Sequence, residues 1–125
     1  MRFMMIMIPE VYRRDVPRDF APDRDAVKKM GEYNEALRRA GALLALDGLT
    51  PPANGARVSF AGGKPMVTDG PFAETKEAIG GYWMIRMQSR QEAIDWAKRC
   101  PAAAGDVIEI RQVFEPEDFA APSAR

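Results

Sequence analysis

Asp69, Tyr82, Arg86, Glu109 and Arg111 are the residues of this chain best suited to moving a proton or holding an anion. A partly desolvated carboxylate can take a proton, and an arginine can grip a carboxylate or enolate oxygen. Asp69 is the candidate base, Arg86 or Arg111 the anion holder, and Tyr82 a second candidate as proton donor. Asp69 opens the nonamer DGPFAETKE, residues 69–77, which ends in a run of charge. Two readings of its carboxylate stand side by side. In one it contacts a ligand; in the other it only caps a tight Asp-Gly reversal by accepting backbone N–H bonds. Gly70, Pro71 and Phe72 are structural in both readings, with Phe72 expected to drop into the core and anchor the turn. Glu74, Lys76 and Glu77 are either binding candidates or a solvated cluster of mutually paired charges.

Other chemistries lose their residues at once. The chain has no histidine, which removes the usual general base, the Ser-His and Cys-His pairs and the commonest metal ligand. Its single cysteine, Cys100, can form neither an internal disulfide nor a thiolate cage, and reads as a small buried hydrophobe before Pro101. The AGGK stretch at 61–64 lacks the spacing of a phosphate-binding loop. No pair of carboxylates has metal-ligand spacing, so neither a metal nor a cofactor is expected. Eighteen basic and eighteen acidic residues cancel, leaving no field for a phosphate backbone and no direct nucleic-acid partner.

The elements that must position these residues follow from the pattern. With 125 residues and 46% hydrophobic content, the chain suits one domain around one core, read here as residues 1–115 with a tail over 116–125 whose end is mobile. Residues 3–8, FMMIMI, form a continuous apolar run, which predicts a strand covered on both faces. The run is far too short to cross a bilayer, so a cytoplasmic protein without a membrane partner is expected. Asp19 or Asp23 is the candidate cap of a helix whose stripe runs through Ala26, Val27, Met30, Tyr33, Leu37 and Ala40, stopped by Gly41. A short strand, ALLALDGL, comes next, and then two strands joined by the AGGKP turn.

In YWMIRM, residues 82–87, Trp83, Ile85 and Met87 share one face while Tyr82, Met84 and Arg86 share the other. Ser89 and Glu92 make a capping box for a second helix, which Pro101 ends. In the last strand, VIEIRQVF, Ile108, Ile110 and Phe114 are expected on one face, with Glu109 and Arg111 on the opposite one. If those polar faces look into a cleft, Tyr82, Arg86, Glu109 and Arg111 line it together with Asp69. Otherwise they face solvent or tie two subunits together.

The order strand, helix, strands, helix, strand predicts an α+β fold: a ferredoxin-like antiparallel sheet with both helices on one face. The other face is too apolar to leave in water, and the chain has no third helix to cover it. A homodimer, sheet against sheet and burying roughly 1,200 Å² or more, is the economical answer.

VTDGPFAETKEAIGGYWMI (67–85), EAIDWAKRCPAA (92–103) and VIEIR (107–111) together resemble the DGPF branch of the YCII-related family. The resemblance runs from residue 3 to about residue 114. It implies a dimeric α+β barrel and small bacterial proteins whose molecular activity is mostly undetermined. It also implies an association with extracytoplasmic-function sigma factors. Other branches carry a His-Asp pair suggested to be catalytic. This chain cannot, having only Met30, Tyr33 and Asn34 in the corresponding helical stretch. Three functions follow as expectations: a cofactor-free enzyme using acid–base chemistry in the barrel cleft, a small-ligand-binding or regulatory module coupled to a sigma factor, and a dimer that recruits a protein through its charged loop.

Overall fold

The computed structural model describes residues 1–72 and 77–119. Glu74 and Lys76, and the end of the tail, lie outside the described residues. The main body is a four-stranded, wholly antiparallel sheet of β1 (Arg2–Ile8), β2 (Leu43–Gly48), β5 (Gly81–Arg86) and β6 (Val107–Gln112), in the order β2-β5-β1-β6. Helix α1 (Arg24–Arg39) links β1 to β2, and α2 (Arg90–Lys98) links β5 to β6. A separate two-stranded hairpin, β3 (Ala56–Ser59) with β4 (Met66–Asp69), interrupts the chain between β2 and β5. The four-stranded sheet is open, with β2 and β6 as its edges, so one chain does not close a barrel.

Alternation decides which side of the sheet is core. Phe3, Met5 and Met7 of β1 and Trp83 and Ile85 of β5 are buried together with Tyr33 and Leu37 of α1 and Ala93 of α2. Both helices therefore cover the same face. Met4 and Ile6 point to the other side and are only half-buried, so β1 is covered on one face by this chain and not on two. The sidedness expected for β5 is the one found, and Ile108 and Ile110 pack against the core from β6. Phe114 does not join them. The strand ends at Gln112, and Phe114 lies 69% exposed with its ring 4.9 Å from that of Phe119. That contact folds the start of the tail back on the chain, and an Arg2–Glu115 ion pair at 2.6 Å ties it to β1.

Both helices end where their local sequence says they should. Asp23 caps α1 by accepting from the Ala26 N–H at 3.3 Å. At the other end Gly41 takes φ +72°, which lets the Ala42 N–H reach the Leu37 carbonyl and the Gly41 N–H the Arg38 carbonyl. These two bonds satisfy last-turn carbonyls and bring Ala42 against Leu37, both buried. Ser89 Oγ accepts from the Glu92 N–H at 3.2 Å. The Glu92 carboxylate reaches back one residue further than a standard capping box, to the Gln88 N–H at 2.8 Å. Among the described residues no helix is long and apolar enough to cross a membrane.

Candidate functional site

The hairpin carries Asp69 away from the sheet. Asp69 is exposed at the end of β4, opposite Ala56, and among the described residues no hydrogen bond or ion pair reaches its carboxylate. Gly70 is where the motif meets the body. Its N–H donates to the Gly55 carbonyl at 2.9 Å, and a Cβ built on it would stand 1.8 Å from the Pro52 carbonyl oxygen. Only a residue without a side chain lets these two backbones lie so close. The following Gly70–Pro71 peptide bond is cis. Phe72 departs from the anchor expected of it: it stays half-buried outside the core, its ring stacked under the Arg57 guanidinium at 4.2 Å. A planar cation over an aromatic face is a stable alternative to burial. Glu77 is exposed and borders a cleft beside Phe72.

Tyr82, Arg86, Glu109 and Arg111 do share a surface, the sheet face turned away from the helices. Most of its polar groups are committed to each other. Arg111 bonds Glu109 at 3.2 Å, and Tyr82 donates its hydroxyl proton to Asp47 Oδ2 at 3.1 Å. That bond and the Asp47 charge push the Tyr82 pKa above its ordinary value, so the phenol holds its proton more tightly. Arg86 lies at the sheet end, paired in register with Arg2. The hairpin residue Asp69 belongs to a different sheet from these four.

A different group of residues lines a cleft of about 390 Å³ between the first half of α1 and the sheet. Ala26, Val27 and Met30 form its helical wall, and Met7, Leu46 and Trp83 its sheet wall. At its back, the Trp83 indole Nε1–H donates to Asn34 Oδ1 at 2.7 Å. An indole N–H can only donate, so this bond fixes which end of the Asn34 amide is oxygen and which is the NH₂ group. The NH₂ end keeps its two donors, and among the described residues none is used. Trp83 is itself positioned by Tyr33, whose ring meets it edge-on at 5.9 Å and whose hydroxyl donates to the Trp96 carbonyl at 2.7 Å. Burial drives the Tyr33 pKa far above its ordinary value, with the Cys100 thiol adding to the rise and Arg99 opposing it; the phenol is a fixed donor.

Asp47 and Tyr82 also border the cleft, but the pleat turns their side chains to the far face of the sheet, opposite to Leu46 and Trp83. No lysine or arginine lines it. The cleft is thus an apolar slot with one amide donor and no positive charge. Sequence reasoning reads Trp83 as core and meets Asn34 only as a residue standing where a catalytic histidine would be. The signal for the pair is their complementarity, an obligate donor and an amide, but nothing local places them together.

Residues 1–117 match the family model described as the YCII-related domain. The chain is also 33% identical over 76 residues to a protein of Rhizobium meliloti (strain 1021) described as uncharacterized protein R00369. That match covers 61% of this chain and 61% of the relative's length. A domain model spanning all four strands of the main sheet and both helices decides the matter: this chain belongs to the YCII-related family.

Proposed function

We propose that this YCII-related protein binds a small, uncharged and largely apolar molecule in the cleft between α1 and the sheet. The observation that carries the reading is the Asn34 amide, oriented by Trp83 and presenting unused donors into an apolar slot. Pockets of this kind draw affinity from apolar contact and orientation from one or two placed polar groups. The ligand therefore carries a hydrogen-bond acceptor, such as a ketone, amide or ring nitrogen. A carboxylate or phosphate would find no cation among the lining residues.

The same reading includes a second copy of the chain. Met4, Ile6, Met84 and Val107 lie on the open sheet face, and this chain supplies no layer over them. The strand order, with one helix after the first strand and one before the last, supports a ferredoxin-like subunit. Two such sheets packed face to face make the dimeric α+β barrel implied by the DGPF-like signature. In that dimer Tyr82–Asp47 and Glu109–Arg111 would sit at the interface as pre-paired polar groups, a positioning role in place of the acid–base one.

Trp83 supplies the readout. Titration with a panel of neutral heteroaromatic and carbonyl compounds is expected to change its fluorescence and raise the melting temperature. Asn34→Leu keeps the shape of the slot, leaves Trp83 in place and should weaken binding about tenfold, the worth of one hydrogen bond plus an unpaired acceptor. Stabilisation by carboxylates alone, unchanged in Asn34→Leu, would overturn the assignment. Turnover of a bound compound, lost in Asp69→Asn, would restore the enzymatic reading.

A further inference from the structure

The β3–β4 hairpin is amphipathic yet bare. Its register pairs Val58 with Val67 and Ala56 with Asp69, so Ala56, Val58 and Val67 share one face. Arg57, Ser59 and Thr68 share the other, together with Met66. Val58 and Val67 are nonetheless 54% and 69% exposed, and Phe60 at the turn is 68% exposed. A two-stranded hairpin standing alone is marginal in water, and it needs a further strand or a packed layer on its apolar face. This one is held at its base only, by the Gly70–Gly55 bond and the close approach to Pro52.

We infer that the hairpin is an arm that closes over a second copy of this chain, its Val58–Val67 face packed on the partner. The inference rests on the sheet-to-sheet dimer proposed above, and area is what commits it to that occupant. Four strands of about six residues, spaced about 4.8 Å apart and rising about 3.3 Å per residue, give an open face of roughly 380 Å². A stable pair needs about 800 Å² from each partner, so the sheets alone fall short. By the same spacings the hairpin face adds roughly 130 Å². In a two-fold dimer the arm covers the partner and the partner's arm is returned, so the contribution counts twice and brings the footprint to roughly 640 Å². Pleated faces expose more accessible area than their flat footprint, which closes the remainder. The polar face of Arg57, Ser59 and Thr68 then looks to solvent, as an arm's outer side should.

Sedimentation of the wild type, Val58→Lys/Val67→Lys and Met84→Lys separates this inference from the reading it rests on. The expected result is a wild-type dimer whose dissociation constant rises at least a hundredfold in the hairpin variant. If Met84→Lys dissociates while the hairpin variant pairs as tightly as wild type, the arm is overturned and the sheet dimer stands. A wild type that stays monomeric at 100 µM, a concentration chosen as roughly a hundred times a micromolar Kd, overturns both. Hydrogen exchange on the unaltered chain covers the case of a misfolded variant. Amides of 56–59 and 66–69 should slow at least tenfold between dilute and concentrated protein, and exchange independent of concentration rejects the arm.

Discussion

The helix-covered sheet and the β3–β4 hairpin are both antiparallel, both rich in β-branched and other apolar residues, and yet they are held by different means. In the main sheet Met5, Ile85 and Leu37 have no exposed surface, and a slip of one residue would turn each strand's buried row into water. In the hairpin every strand residue is exposed, and register comes from the glycine turn at Gly62–Gly63 and the backbone clasp at Gly70. Burial specifies the body; turn chemistry and one close contact specify the arm. The contrast shows how one chain keeps a rigid scaffold while presenting a segment whose apolar face awaits a partner.

The comparison breaks most clearly in paired substitutions. Leu37→Ala removes a fully buried side chain and should cost about 2–5 kcal/mol, seen as a lower urea midpoint. Val67→Thr in dilute protein, where the arm has no partner, should change stability by less than about 0.5 kcal/mol. Equal losses would mean that the hairpin is packed in the single chain.

Two glycines sharpen the point about backbone clasps. Gly70→Ala drives a methyl into the Pro52 carbonyl and should destabilise by at least about 1 kcal/mol, with the loss concentrated in hairpin protection by hydrogen exchange. Gly31→Ala, in the interior of α1 with nothing within 4 Å of the added carbon, should stabilise by about 0.5–1 kcal/mol.

The smallest effect concerns the body's edge at Cys100, packed beside Met30 with its Sγ 3.9 Å from the Met30 sulfur. Burial first, and the Asp106 charge second, push its thiol pKa from 9.0 up to about 11. The folded state thus keeps a proton that the unfolded chain gives up. The contribution to stability is complete below pH 9 and is lost as pH climbs from 9 to 11. Thiolate absorbance should titrate near pH 11 in the native protein, and reaction with a disulfide reagent at pH 8 should be about a hundredfold slower than in urea. A native midpoint near 9 would mean an exposed thiol.

Much of the body is legible in short windows of sequence. The stripe Met30, Tyr33, Leu37, the Asp23 cap, the Gly41 stop and the Ser89–Glu92 box are all relations within a few residues, which local sequence carries in full. Strand sidedness is equally plain for Trp83 and Ile85, because the pleat has a period of two. Phe114 misleads because the period extends past the point where the strand stops. Phe72 misleads because an aromatic beside a turn can be satisfied by burial or by a cation, and the cation sits fifteen positions upstream at Arg57.

The amino-acid order alone carries the succession of elements, the helix ends, the core face of each central strand and the membership of the YCII-related family. It takes the closed fold to bring Asn34 to Trp83, 49 residues away, to bring Asp47 to Tyr82, 35 residues away, and to set Asp69 on a hairpin apart from both. Caps and periods are set by neighbours along the chain, whereas these partners are chosen by sheet register and helix packing. Those depend on the whole core closing at once, and no window of residues contains that condition.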